Sequence, residues 1–382
     1  MNRYLLTPGP VPVDVDASLA MARPMISHRG ADFHALFGAI EKKLERLLRS
    51  TGPVVLLPSS GTGALECLAA NFARPGTKVL SVSCGVFGDR FREIVARTGA
   101  EMTNVDVEQG SGVAPAIVAD AVKKFPCDVL LLTQNETSTG VLNPIAEIVA
   151  ALPDKNEKKG ENRPFVLVDG VSAVGAMPCH PQEWSVDGLA TASQKGLLTP
   201  PGLGLVWLSA RGWEHVETHG ASSYYFDLAL QKKYMKPDAH ENPYTPPVSL
   251  YYALDAALDA ILAEPEWFDL RQRAARSIAS GLEALGFELL VRDAAYRSPG
   301  VTAFSLPGGG IGGVAKNLRA MGIEPAGGQG ALKGKILRLA HYHDVRWPEI
   351  ATILGSLFAA MGERRNESGD FMKAAFDIWE GK

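Results

Sequence analysis

The chain has 382 residues, with 38 basic against 42 acidic side chains for a formal net charge of −4, and 46% hydrophobic against 21% charged residues. That length and apolar share exclude a disulfide-stapled mini-protein and wholesale disorder, and imply a large domain with a smaller one beside it. The near-balanced, interspersed charge offers no surface for a phosphate backbone, and no apolar run reaches membrane-span length, so neither nucleic acid nor membrane is expected as a partner.

The first residues, with TPGPVPV at 7–13, lack a signal-like apolar stretch. Residues 1–20 read as an N-terminal arm, 21–260 as the large domain and 261–382 as the small one. Short β-branched runs then alternate with amphipathic stretches: VVLL at 54–57, GALECLAANFA, KVLSVS from Lys78, FGDRFREIVARTG, MTNVDV, APAIVADAVKKF, DVLLLT from Asp128, PIAEIVAAL and FVLVD ending at Asp169. Such alternation predicts an α/β fold, a mostly parallel sheet sandwiched by helices, with ligands at the carboxyl ends of the strands. The charged, breaker-rich stretch at 153–164 reads as a solvated loop. Beyond Leu208 the alternation loosens until a helical pattern at 249–262. A compact α/β unit follows, with a helix RQRAARSIASGLEALG, strands near FELLV and VTAFSL, a helix VAKNLRAMG and a strand KILRLA. Cys67, Cys84, Cys127 and Cys179 show no metal-ligand spacing. They read as buried thiols of a reducing compartment, so a cytoplasmic protein without a metal is expected.

Three stretches carry chemistry, each after a strand. SSGTGALE at 59–66 opens a helix with small residues and hydroxyls, which suits a phosphate; an ordinary helix cap would use Ser60 or Thr62 equally well. In VDGVSAVGA, Asp169 ends a very apolar strand, where a carboxylate needs a metal, an arginine or a protonated ring nitrogen, or else caps a helix. In SQKGLLTPPGLG at 193–204, Lys195 stands on a turn of small residues, either as a desolvated, carbonyl-reactive amine or as solvated surface. Phosphate cradle, acid and lysine, in that order on one sheet, form the set that pyridoxal 5'-phosphate requires.

At this point the chain resembles the class V aminotransferases of fold type I, nearest the alanine/serine:glyoxylate group. The resemblance runs from TPGPVPV through LRLAHY at 337–342 and is carried by SSGTGALE, NETSTGVLNP, VDGVSAVGA and SQKGLLTPPGLG in order. It implies the aspartate aminotransferase-like fold, a pyridoxal phosphate cofactor and a homodimer. It also implies a transaminase moving an amino group from a small amino acid, alanine or serine, to a small 2-oxo acid, glyoxylate or pyruvate, by a ping-pong mechanism. By the same resemblance Lys195 is the Schiff-base lysine and Asp169 faces the pyridine nitrogen. Ser60, Gly61, Thr62 and Gln194 hold the phosphate, and Thr245 reaches the phosphate of the neighbouring subunit. Thr137 meets the ring hydroxyl, Arg338 clamps the substrate carboxylate, and Pro8 and Gly9 line the substrate entrance. Phe87 stands where glyoxylate-using relatives usually stack a tryptophan on the ring, and Asn242 where some relatives place a phosphate-contacting tyrosine.

Other readings stay open. Relatives in this class also act on 2-aminoethylphosphonate or ureidoglycine, or are lyases; a desulfurase would need a nucleophilic cysteine beyond Cys179, and the sequence has none there. A nucleotide-binding module is the rival of another class. Yet GGQGALKGK at 327–335 has Gln329 and Ile336 where a phosphate loop needs Gly and Ser/Thr, and GGGIGG at 308–313 reads as a turn.

Overall fold

The computed structural model describes residues 4–153, 163–236, 239–343, 345–362 and 370–382. Most of the stretch read as a solvated loop at 153–164 therefore lies outside the described residues.

The chain enters through a short strand, β1 (Tyr4–Leu6), and then builds β2 (Val54–Ser59), β3 (Lys78–Ser83), β4 (Glu101–Asp106), β5 (Val129–Thr133), a hairpin of β6 (Asn135–Glu136) and β7 (Val141–Leu142), β8 (Phe165–Asp169), β9 (Gly188–Ala192) and β10 (Gly202–Leu208). A second small hairpin, β11 (Met235–Lys236) with β12 (Ala239–His240), precedes β13 (Glu288–Leu289), β14 (Val301–Ser305), β15 (Ile323–Gly327) and β16 (Leu337–Ala340). Seven strands form the large sheet in the order β2-β10-β9-β8-β5-β3-β4. All run parallel except β10, which pairs antiparallel with both β2 and β9.

The central strands are apolar without alternation, as burial of both faces demands. Every residue of β5 and β9 is buried. Helix Gly61–Phe72 packs on β9 and β10, and helix Val86–Ala96 on β3 and β5. Each burial of a Val or Leu side chain here contributes about 1.5–3 kcal/mol.

The second sheet has the order β1-β15-β16-β14-β13. Its unexpected member is β1, paired parallel with β15 through Tyr4↔Ile323 and Leu6↔Pro325. The leading residues, read as an arm, thus supply an edge strand more than 300 positions away in the chain. Leu6 joins a separate apolar cluster with Ile278, Leu282, Phe304, Leu339 and Leu354, distinct from the cluster around the large sheet. Several helices carry no reading in the sequence, among them Val15–Ala20, Ala31–Leu48, Ala210–His219, Leu228–Tyr234, Trp347–Ala360 and Phe371–Trp379. All four cysteines are free, and Cys127 is half-buried where a buried thiol is expected. Among the described residues no helix is long and apolar enough to cross a membrane, and no cluster of His, Cys, Asp or Glu could hold a metal ion.

Candidate active site

The parallel strands deliver their carboxyl ends to one edge of the large sheet, and the candidate residues follow those ends. Ser60 follows β2, Phe87 follows β3, Thr137 follows β5, Asp169 closes β8, and Gln194 and Lys195 follow β9. Because β10 runs the other way, its first residue, Gly202, pairs with Ser59 at the same edge.

Ser60 is the N-cap of the helix Gly61–Phe72 and its Oγ accepts the Gly63 N–H at 3.4 Å, so the cap reading holds as geometry. Ser60 and Thr62 are both solvent-exposed, which leaves their hydroxyls accessible to an anion at that helix end. Gly61 is required by packing: a Cβ there would stand 2.7 Å from Val171 Cγ1, in the loop just after Asp169.

Asp169 is buried, and its Oδ1 accepts the Val171 N–H at 2.9 Å. Burial pushes its carboxyl up to about 7, with the nearby Glu136 charge adding to the shift and Lys195 and Arg90 opposing it. Lys195 moves the opposite way. Burial, with Arg338 next, pulls its ammonium down to about 8, while Asp169 opposes the fall. Its Nζ donates to the Pro8 carbonyl, and a Cβ on Gly9 would lie 2.1 Å from that nitrogen. The TPGP turn therefore lies directly on the lysine, and Val11 N–H donates to the Gln194 carbonyl at 3.4 Å.

Arg338, on β16, is buried and pinned by backbone carbonyls: Nε and Nη2 donate to Gly327 O at 3.0 and 2.8 Å, and Nη1 to Thr137 O at 2.9 Å. The last bond joins the second sheet to the loop after β5. Thr137 Oγ1 donates to Ser172 Oγ at 2.7 Å, tying that loop to the one after Asp169. Phe87 is half-buried, with the Arg90 guanidinium 4.8 Å from its ring centroid.

Thr245 is exposed just before helix Val248–Ala263. Among the described residues no contact carries it to Lys195; it stands near Tyr244, whose ring stacks on Tyr225 at 4.4 Å, and Tyr225 Oη donates to Pro58 O, two residues before Ser60. Asn242 is buried and occupied internally, donating to Leu56 O at 3.1 Å and accepting from Tyr251 Oη at 3.0 Å.

Sequence reasoning passed over Glu136, a fully buried carboxylate among the amides of Phe87, Gly88 and Ser138. Its signal was an acid inside NETSTG, a stretch that carries the family resemblance but from which only Thr137 was taken as a site residue.

The site tests well against pyridoxal phosphate on its own ionisable groups. Asp169 is buried with its Oδ1 bonded to the Val171 N–H, and the lysine and acid are shifted in opposite senses by burial. A cation facing the buried acid would stabilise its charge, and the exposed hydroxyls at the helix terminus suit an anion; one molecule carrying both would fit both.

The chain matches the family model described as Aminotransferase class-V over residues 16–346. It is 32% identical to a protein named as the small subunit of a soluble hydrogenase of Synechococcus sp., over 94% of this chain and 93% of that one. It is also 32% identical to the L-aspartate–glyoxylate aminotransferase of Paracoccus denitrificans, over 88% of this chain and 85% of the relative. Among solved structures, an alanine–glyoxylate aminotransferase of Nostoc sp. superposes with a TM-score of 0.87 at 28% identity, covering 94% of this chain and 96% of that one.

Proposed function

This chain belongs to the class V aminotransferases, and from that premise we propose that it is a pyridoxal 5'-phosphate-dependent transaminase acting as a homodimer. It moves the amino group of a small amino acid, alanine or serine, to a small 2-oxo acid, glyoxylate or pyruvate, in two half-reactions. The observation that carries this reading is a buried acid, Asp169, and a half-buried lysine, Lys195, at the carboxyl ends of the neighbouring parallel strands β8 and β9.

When bound, the cofactor supplies an amine-accepting aldehyde and an electron-withdrawing ring. The chain's own residues do the rest. Lys195, pulled down to about 8, is a neutral amine for an appreciable fraction of molecules at pH 7–8. As a neutral amine it would be the residue that holds the cofactor's aldehyde group, and its nitrogen would take and hold the substrate Cα proton. Asp169 is ionised most readily when a cation faces it, so it holds a proton on the ring nitrogen and is itself held as a carboxylate. Arg338 keeps its fork fixed by three carbonyl bonds, so it presents a preorganised pair of donors to one substrate carboxylate. A single such fork suits a monocarboxylic donor, and glyoxylate is the acceptor named for two of the relatives above.

Ser60, Gly61, Thr62 and Gln194 would hold the phosphate, with Phe87 beside the ring and Thr137 toward its hydroxyl. Thr245 would contribute to the partner subunit's phosphate site, and Pro8 and Gly9 would line the entrance. The test is a half-reaction. Wild-type holoenzyme given alanine or serine alone should release the matching oxo acid once per site and lose its visible absorption. Borohydride should fix the cofactor covalently to the wild type and leave it removable from Lys195→Ala; covalent fixation to that variant would overturn the assignment.

A further inference from the structure

Glu136 is fully buried, yet no lysine, arginine or histidine side chain bonds to it among the described residues. Its Oε2 accepts the N–H groups of Phe87 and Gly88, both at 3.0 Å. Its Oε1 accepts from Ser138 twice, N–H at 3.0 Å and Oγ–H at 2.6 Å. Ser138 Oγ in turn accepts the Val86 N–H at 3.0 Å. Val86, Phe87 and Gly88 are the first residues of the helix Val86–Ala96, whose own N-cap, Gly85, offers no side-chain bond.

A helix N-terminus carries roughly half a positive charge and unsatisfied amides, which a local Ser or Asp ordinarily supplies with an acceptor. Here that acceptor comes from another strand, and the local position is cleared for it: a Cβ on Gly85 would stand 2.6 Å from Glu136 Cδ. Burying a carboxylate is a costly way to cap a helix, so the arrangement calls for a second effect. That effect is visible in what flanks the carboxylate. On one side it fixes the amide of Phe87; on the other, the adjacent Thr137 gives its hydroxyl proton to Ser172 and its carbonyl to Arg338.

We propose that Glu136 is a positioning residue that sets the width of the cofactor-ring slot, holding the helix of Phe87 and the loop of Thr137 in one register through its two oxygens. The inference rests on the cofactor reading given above. Replacement by glutamine leaves one acceptor oxygen and turns an NH₂ toward backbone amides that also donate, so the backbone bonds on one side of the carboxylate are lost. Aspartate keeps both oxygens and the charge but is one methylene short.

The experiment loads wild-type, Glu136→Gln and Glu136→Asp proteins with pyridoxal phosphate and reads the dissociation constant, the visible circular dichroism per bound cofactor, and the melting temperature. The Gln variant should bind about tenfold more weakly or worse, with visible dichroism per bound cofactor at least roughly halved, and the Asp variant should fall between it and the wild type. A role in folding alone would lower the melting temperature and leave affinity and dichroism unchanged, and that result overturns the proposal. Should the Gln variant not fold, Ser138→Ala removes one donor from the same carboxylate and should shift both readouts in the same direction by a smaller amount; wild-type values there overturn it equally. If the wild type takes up no cofactor, the functional reading falls and this inference with it. Wild-type binding with unchanged variants overturns this inference alone.

Discussion

Asp169 and Lys195 are held in charge states that water would not favour, and folding stability bears that cost. The native state keeps the Asp169 proton up to about pH 7, whereas an unperturbed carboxyl loses it at 3.8. Folded molecules therefore bind more protons than unfolded ones across that interval, and stability falls as pH rises from about 4 to 7 and then levels. The full penalty in cofactor-free protein is at most roughly 4 kcal/mol. Asp169→Asn keeps an acceptor for the Val171 amide and removes the charge. Cofactor-free Asp169→Asn should then be more stable than the wild type by about 2–4 kcal/mol at pH 8, and equal to it near pH 4, in denaturant titrations, while transaminase activity is lost. Equal stabilities at pH 8 would show that the carboxylate is not desolvated. Lys195 imposes the complementary pattern: its folded pKa of about 8 lies below the ordinary 10.5, so its penalty is complete below pH 8 and fades as pH rises through that window.

Among the elements, β1 and the turn behind it connect the second sheet to the lysine. β1 is anchored by pairing with β15, and three residues later Gly9 adopts φ +142°, a conformation that side chains rarely take, with its Cα turned toward Lys195 Nζ. Gly9→Ala should leave the sheets folded, since the turn is half-exposed, and cost about 1–3 kcal/mol in strain. It should displace the lysine amine enough to lower kcat/KM by about 100-fold, as misplacement near 1 Å does. A variant with full activity would remove the TPGP turn from the site. The same element shows what the sequence could and could not disclose. Strand β8 was legible because FVLVD is continuous apolar sequence ending in an acid, and Lys195 because its neighbours are small. The pairing of Tyr4 with Ile323 has no local signature: periodicity reports a strand's faces but not a partner 319 residues away. The antiparallel course of β10 did have a signal: the helix-free connection from Ala192 to Gly202 is too short for a parallel crossover. Glu136 was invisible because what distinguishes it, the open end of a helix some 50 residues earlier, exists only after folding.

At the scale of the whole molecule, the anion cradle is unfinished. Ser60 and Thr62 face solvent, as does Thr245, and Tyr224, beside the Tyr225 that bonds Pro58, is 78% exposed. Helix Val15–Ala20 buries Ala17 against helix Val248–Ala263 but turns Val15 and Leu19 outward at 71% and 66% exposure, one helical turn apart, and Met25 follows at 72%. Large apolar side chains aligned this way suit a face that a second copy would cover in the proposed homodimer. With Thr245 only three residues ahead of helix Val248–Ala263, a second copy seated on this face in the proposed homodimer would bring its own Thr245 segment toward the first copy's cradle. Dimer formation and cofactor affinity are then linked, each strengthening the other by the same factor. The double variant Val15→Asp, Leu19→Asp places two charges in that contact and should weaken dimerisation by about 100-fold or more. Sedimentation should show a concentration-dependent monomer where the wild type stays dimeric. Titration at low protein concentration should show pyridoxal phosphate affinity falling in step with the dimer fraction, and saturating cofactor should restore the dimer. A monomer that binds cofactor as tightly as the wild type would mean that one chain completes the phosphate site alone.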